Sequence, residues 1–387
     1  MNYLLKNISW ASGDLITADI RVGYQGISEI GNLERQEKDT IIDCTGHYLY
    51  PGFINSHDHV EMNLYPLMGN PPYQNYTEWA KDIYRPMESP VREIERLEMK
   101  DRLTWGSFKN LISGATTVVH HNKWHQALGG RLFPVRIRAT EWAHSLAFEP
   151  KIEKKFPSNP KSTFVIHAAE GVDSFAKAEI PKLKELGMLQ ENTVLVHAVG
   201  MNERNMKLME QSRVSMVWCP SSNLFMFNQT APVNELKNKI KVVLGTDSLM
   251  TGPATLLDEM RVARETGMAS TREIYDMVTS VPAKIFHMAT PEIKIGCTEF
   301  WIAPIKHSDY YENVFLQHTG DIMAVVVYGR IRYCNAEIGK RLGTLRHRIS
   351  VSGQEKLVEE DIPKLWRKLE NRLGHLPKNS LRQIIQA

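Results

Sequence analysis

The sequence predicts an α/β fold: a (β/α)8 TIM-like barrel in the middle of the chain, plus a small composite β-sandwich unit built from both ends. Three observations predict it. Apolar, strand-length runs alternate with amphipathic helical stretches over roughly 250 residues, a pattern that favours parallel strands with crossover helices. Short strands punctuated by glycine occupy both ends of the chain. Five apolar runs stop in histidines, an aspartate or a tight polar turn, at the strand ends where barrels place their chemistry.

Taken in order, the chain opens with strands over 3–8, 15–22, 26–30 and 40–43, separated by Gly13, Gly23, Gly26, Gly31 and Gly46. A buried strand over 49–54 follows and runs into Asn55-Ser56-His57-Asp58-His59. Residues 60–90 hold five prolines and the aromatics Tyr65, Tyr73, Tyr76, Trp79 and Tyr84, which reads as a lid or binding loop. A helix is expected over 90–112, stopped by Gly114. Strands then fall at 115–120, 135–140, 163–167, 193–199, 214–218 and 240–244, with helices over 174–186, 203–211 and 254–265. Ser270 to Glu273 has the capping-box pattern of another helix.

The spacing contains one irregularity. Going from the second barrel strand to the fifth takes three strand–helix units of ~30 residues each, yet only about fifty residues separate Val118 from Val165. At least one helix must be reduced there, with the fourth strand a further candidate. From 299 to 338 the pattern returns to strands, expected to rejoin the N-terminal ones, and 359–373 reads as an amphipathic helix. The predicted organisation is a composite sheet unit over 1–48 and 298–340, a barrel over 49–297 and a helical tail over 341–387.

Composition bounds the function. A chain of 387 residues, 42% apolar and 24% charged, can bury one large core plus a smaller unit. Its net charge of +3 is too small to favour nucleic acid or an anionic membrane as partner. No apolar run approaches the ~18 residues that span a bilayer, and the first residues lack the apolar core of a signal peptide. Cys44, Cys219, Cys297 and Cys334 lie far apart, which suits reduced thiols in a cytoplasmic protein rather than a disulfide frame or a thiolate zinc site.

The strand ends carry the chemistry. Side chains alternate faces along a strand, so His57 and His59 point the same way and offer two imidazole nitrogens to a metal. Alone, His-x-His fits two exposed loop histidines equally well. Four later strand ends repeat the grammar: His167-Ala168-Ala169-Glu170, His197, Cys219-Pro220-Ser221-Ser222-Asn223 as a tight polar turn, and Gly245-Thr246-Asp247-Ser248. Each has a plain reading by itself. His197 fits a hydrogen-bonded core histidine, Asp247 a helix cap, Glu170 a first-turn carboxylate favoured by the helix dipole, and Cys219 a small buried hydrophobe. Together the plain readings require five coincidences, in order, at the correct ends of strands.

At these motifs the sequence resembles the amidohydrolase superfamily, in the branch with cytosine and guanine deaminases, imidazolonepropionase and the S-adenosylhomocysteine deaminases. The resemblance spans nearly the whole chain, through Pro51-Gly52-Phe53-Ile54-Asn55-Ser56-His57-Asp58-His59 and the four later motifs. It implies that His57, His59, His167 and Asp247 bind one divalent ion, zinc or iron. It also implies that Glu170 shuttles protons and that His197 contacts the substrate or the attacking water. Three neutral imidazoles and a carboxylate leave an open position for water, whose pKa the ion lowers to roughly 7. Glu170 can then move the proton, and His197 and Asp247 can stabilise the oxyanion.

Departures from the family pattern refine these expectations. Relatives with two metals usually carry a bridging carboxylated lysine on the fourth strand. Here Lys151, Lys154, Lys155 and Lys161 lie among charges and prolines in the shortened region, so a single ion is expected. The run His120-His121-Asn122-Lys123-Trp124-His125 is rich in ligands, and can contact substrate, hold a second ion or be a polar loop. Glu141-Trp142-Ala143-His144 can line the same pocket. His121, Trp142 and Asn223 are the candidates for substrate contact. The expected function is metal-dependent hydrolysis of a non-peptide C–N bond, deaminating a cyclic amidine such as a purine or pyrimidine. Hydrolytic ring opening of a cyclic amide is the alternative, and a catalytically silent scaffold the third reading. The expected partner is a small heterocycle, with neither nucleic acid nor membrane, and homo-oligomers are common in the family.

Overall fold

The computed structural model describes residues 2–343, 345–374 and 380–386. Eleven strands from both ends of the chain form one sheet. The splice between the ends is the strand His47–Pro51, which pairs antiparallel with Phe300–Pro304 and parallel with Asn2–Ser12. Aromatic packing fixes this seam. Tyr50 stacks on Trp301 with ring centroids 4.4 Å apart, and Tyr310 packs on Tyr50 at 4.5 Å. Such pairs contribute ~0.5–1.5 kcal/mol each beyond the area they bury.

The tail read as helical is instead partly sheet. His347–Val351 and Gln354–Val358 form a hairpin that extends the eleven-stranded sheet. Ile349 and Val351 are buried while Arg348 is exposed, a period-two alternation that marks a strand. The amphipathic helix is present as Ile362–Leu373. Residues 344, 375–379 and 387 of that expected tail lie outside the described residues.

The middle of the chain forms the barrel. Its strands are Phe53–Asp58, Ala115–His120, Arg136–Arg138, Glu141–Ala143, Phe164–Ala168, Thr193–His197, Ser215–Trp218 and Lys241–Leu244, paired in parallel. The shortening lies where the spacing requires it. Arg136–Arg138 and Glu141–Ala143 are halves of one extended segment, separated by Ala139 and Thr140. The first half pairs with Ala115–His120 and the second with Phe164–Ala168. One stave thus does the work of two. Among the described residues between His120 and Phe164, the only helices are the 3-10 turns Gln126–Leu128 and Ile152–Lys155.

The hydrogen bond from Asp247 N–H to His57 O (3.1 Å) brings the last strand's end round to the first, and Ile54 N–H of that first strand donates to Val278 O (2.8 Å), past the helix Thr271–Asp276. Ile54, Val119, Val165, Val194, Val217 and Val243 cluster together as the β-branched lining of the lumen.

Three local expectations are corrected. The run 49–54 is two strands in two sheets, divided at Gly52, where a Cβ would sit 2.0 Å from Thr116 Oγ1. The helix expected over 90–112 is Val91–Glu95 followed by Met99–Leu111, with Glu98 extended between them. Part-buried Leu97 at this break packs on the main core, so its anchoring prevails over helix continuation. The polar turn 219–223 is the start of the helix Pro220–Phe227, whose first position suits a proline that has no N–H to satisfy. The 60–90 segment contains a helix, Tyr76–Ile83, opened by the side chain of Asn75 accepting from Thr77 N–H at 2.9 Å.

Candidate metal centre and active site

His57 and His59 end the first barrel strand, His167 ends the fifth, and Asp247 follows the last. The barrel brings them to one point. His167 Nε2 lies 3.2 Å from His57 Nε2 and 3.3 Å from His59 Nε2. Asp247 Oδ1 lies 3.8 and 3.6 Å from the same two histidines. An ion bonded at about 2.0–2.1 Å holds tetrahedral ligand atoms about 3.3–3.4 Å apart. The histidine nitrogens stand at that spacing and the carboxylate slightly wider, so the residues fit a divalent ion. Burial, reinforced by the neighbouring imidazoles, holds His57 and His167 well below the ordinary histidine range, which keeps them in the neutral form a metal requires. Burial raises the Asp247 carboxyl, but His59 and His197, with the Ser248 N–H and the Ser222 hydroxyl, hold it below its ordinary value.

The surroundings orient these side chains. The His144 carbonyl accepts from both the backbone N–H and Nδ1–H of His167, at 3.0 and 2.8 Å, which leaves Nε2 bare. Asp247 Oδ2 accepts from Ser222 Oγ and Thr251 Oγ1 at 2.9 and 3.0 Å. The Asn122 amide bridges His59 Nδ1 (3.2 Å) and Glu61 Oε1 (2.6 Å). Asp247 and His197 both take a positive φ, 54° and 75°, a conformation costing of order 1–3 kcal/mol that clusters at functional sites.

Behind the strand ends runs a buried polar network. Lys109 Nζ lies 3.4 Å from Asp58 Oδ2 and donates to Asn63 Oδ1, Thr246 Oγ1 and the carbonyl of Asp247 at 3.0–3.1 Å. Asp58 also accepts from Asn63 and Asn110 at 2.8 and 2.7 Å. It sits between His57 and His59 on the opposite face of the chain, so the network grips the His-x-His from behind.

In front of the centre is a cavity of about 470 Å³ that includes His59, His144, His167, Glu170, His197 and Asp247 among its lining. Its remaining wall is largely apolar, with Met62, Trp79, Tyr84, Phe148, Met226 and Met250. Glu170 Oε1 lies 3.6 Å from His197 Nε2. Burial, then the charges of Asp247 and Glu179, push the Glu170 carboxyl well above its ordinary range. The segment that supplies Trp79 docks directly on this turn. Tyr76 N–H donates to Glu170 O (3.1 Å) and Val172 N–H to Gln74 O (2.8 Å). Glu179 accepts from the Tyr76 hydroxyl and the Ala169 N–H, both at 2.8 Å, and so ties the two together.

The expected substrate contacts are placed differently, and none of the three lines this cavity. Asn223 is buried and its Oδ1 accepts from His197 Nδ1–H at 2.9 Å, so it orients that histidine. Trp142 packs between His121 and Lys155, with ring centroids 5.4 Å from His121 and Lys155 Nζ 5.0 Å over its face. His121 is buried against His57 and His167. From the 141–144 group it is His144 that reaches the cavity, with its pKa lowered to about 4 by burial and by His59. The sequence reading missed Lys109, Asp58, Asn122 and Glu61. Lys109 left no signal of its own, because its helix is buried at every position from Arg102 to Leu111, polar and apolar alike.

Comparison with known proteins bears on the family and the fold. The amidohydrolase family model matches residues 134–332, just over half of the chain. The 5-methylthioadenosine/S-adenosylhomocysteine deaminase of Pyrococcus furiosus is 26% identical over 76% of this chain and 84% of its own. The 5'-deoxyadenosine deaminase of Methanothrix thermoacetophila is 26% identical over 67% of this chain and 70% of its own. Among solved structures, a zinc-bound adenosine deaminase of Xanthomonas campestris superposes with a TM-score of 0.67 at 13% identity, covering 96% of this chain and 98% of that one. The atrazine chlorohydrolase of Arthrobacter aurescens complexed with zinc gives 0.71 at 15% identity, covering 96% and 100%. These structures share the fold, a barrel joined to a sheet unit. The matched segment carries His167, Glu170, His197 and Asp247, and the chain belongs to the amidohydrolase family.

Proposed function

We propose that the chain is a metal-dependent hydrolase of non-peptide C–N bonds that deaminates an amino-substituted heterocycle. In this reading a single divalent ion, zinc or iron, is held by His57, His59, His167 and Asp247. The observation that carries it is the meeting of those four groups at one point, with His59, His167 and Asp247 opening, beside Glu170 and His197, onto one largely apolar cavity. When bound, the ion supplies Lewis acidity that makes water nucleophilic near neutral pH.

The chain's own residues do the rest. Glu170 takes the proton of the attacking water and returns it to the ring nitrogen or the departing amine. A carboxyl held above its ordinary range by burial is suited to giving a proton back as well as taking one. His197 gives Nδ1–H to Asn223, which leaves the Nε2 lone pair facing Glu170 and the cavity, where it accepts a hydrogen bond from the attacking water and holds it in place. The Tyr76–Ile83 helix shields the site from solvent. Its aromatic and thioether wall, with Lys81 as its one lysine, suits a heterocycle bearing an apolar, uncharged substituent.

Relatives named as adenosine-type deaminases favour amine release over ring opening. The complete set of candidate ligands argues against a silent scaffold. Four free cysteines, three of them buried, suit a reducing cytoplasm. Among the described residues no helix is long and apolar enough to cross a membrane. The test is a screen of heterocycle pools with metal-loaded protein, scored separately for ammonia and for ring-opened product. Ammonia from an intact ring is expected. Ring opening without ammonia, or no turnover by metal-loaded protein, would overturn the reading.

A further inference from the structure

His121 stands outside the ligand set implied by the family resemblance and outside the cavity, yet it is packed into the metal centre. Its ring centroid lies 4.5 Å from that of His167 and 5.0 Å from that of His57. The candidate ligands themselves are spaced alike: His57 to His167 is 4.9 Å, and His59 to His167 is 5.3 Å. One nitrogen each of His57, His121 and His167 lies within 4.8 Å of the other two.

The hydrogen bonding of His121 selects which nitrogen is available. Nε2 faces the Ala143 carbonyl at 3.1 Å and must carry the proton to bond it. Nδ1 is then a bare lone pair, buried and without a hydrogen-bond partner among the described residues. Buried imidazole nitrogens are ordinarily paired, and an orphan packed among candidate metal ligands fits a cation held between them. The carbonyl that sets this tautomer belongs to the merged stave at 136–143, next to the carbonyl of His144 that sets the tautomer of His167. The two adjacent carbonyls therefore aim two imidazoles together.

A second ion is the less economical explanation. An imidazole nitrogen has one lone pair, and the Nε2 atoms of His57 and His167 already face one another at 3.2 Å. They serve one ion between them. We propose that His121 is a further ligand of that ion through Nδ1, giving the centre four imidazoles and the Asp247 carboxylate. This inference rests on the metal-centre reading above. It also goes beyond it, since five protein ligands exceed the four of an ordinary structural zinc site.

The test uses the intact chain. X-ray absorption at the metal edge of the zinc-loaded wild-type protein should count four imidazoles; three would overturn the inference while leaving the metal centre standing. Cobalt substitution gives a second readout, because the visible d–d bands intensify as the number of ligands falls. His121→Gln should raise that intensity and weaken metal retention in chelator competition by more than the ~10–100-fold typical of an outer-shell partner. A cobalt spectrum identical to wild type would refute direct ligation. A chain that takes up no ion at all would remove the metal-centre reading, and this inference with it.

Discussion

Lys109 offers the sharpest test of how the strand ends are held. Its ammonium and the Asp58 carboxylate are both fully buried, 3.4 Å apart. Lys109→Met keeps most of the side-chain volume but strands the Asp58 charge among the neutral amides of Asn55, Asn63 and Asn110. Breaking a buried ion pair by removing one partner costs ~3–5 kcal/mol, because the other charge stays buried. Unfolding entropy near 2.1 cal/mol/K per residue gives roughly 0.8 kcal/mol/K for this chain length, so the melting temperature should fall by about 4–6 °C. Lys109 also holds the Asp247 carbonyl at 3.1 Å, so metal affinity should drop ~10–100-fold. The assay is thermal unfolding of metal-stripped protein, which separates the two effects. Lys109→Met/Asp58→Asn should recover part of the loss, since the stranded charge is gone. A single mutant that melts within about 1 °C of wild type, or a double mutant worse than the sum of the singles, would refute the reasoning.

Four further outcomes are expected. Glu170→Gln should keep fold and metal while kcat falls ~10²–10⁴-fold with little change in KM, measured by steady-state kinetics on the substrate that the screen returns. His57→Ala/Asp247→Ala should retain no stoichiometric metal by elemental analysis, and full occupancy would rule the site out. Burial raises Glu179 to about 7 from 4.5, so the native state binds its proton more tightly than the unfolded chain. Wild-type stability should therefore fall by about 3 kcal/mol as pH rises from the unfolded value to the folded one, and Glu179→Gln should lack that fall when melting is followed against pH. Gly106→Ala would place a Cβ 1.8 Å from the Val60 carbonyl oxygen and should cost at least ~3 kcal/mol, read from chemical denaturation.

Much of the fold was legible because two periods and one count carry it. Strand alternation put His57 and His59 on one face, and residue spacing between Val118 and Val165 left no room for three complete strand–helix units. Glu170 and Asp247 were legible as polar stops to apolar runs. The rest was hidden for identifiable reasons. Lys109 has the composition of a surface helix residue, and only its partners Asp58 and Thr246, remote in sequence, explain its burial. The Tyr76–Ile83 helix lies between proline clusters that read as loop, and its stability comes from docking on Gly171 and Glu170 rather than from its own eight residues. Asn223 and Trp142 were correctly placed near strand ends, but side-chain reach to the cavity depends on neighbours that a single strand does not reveal. The 347–351 strand was overlooked because a following helix dominates the composition of the tail.

The seam between His47–Pro51 and Phe300–Pro304 has a consequence for how the chain is made. A ribosome adding 5–20 residues per second needs about 10–50 s to travel the roughly 250 residues between the two strands. Through that interval Tyr48 and Tyr50 emerge without the strand and ring that cover them in the finished protein. The barrel, whose strands and helices are near neighbours in sequence, can assemble while the N-terminal strands wait. Synthesis interrupted before Phe300 would leave an open strand edge and exposed aromatics, the features that recruit chaperones and seed aggregation.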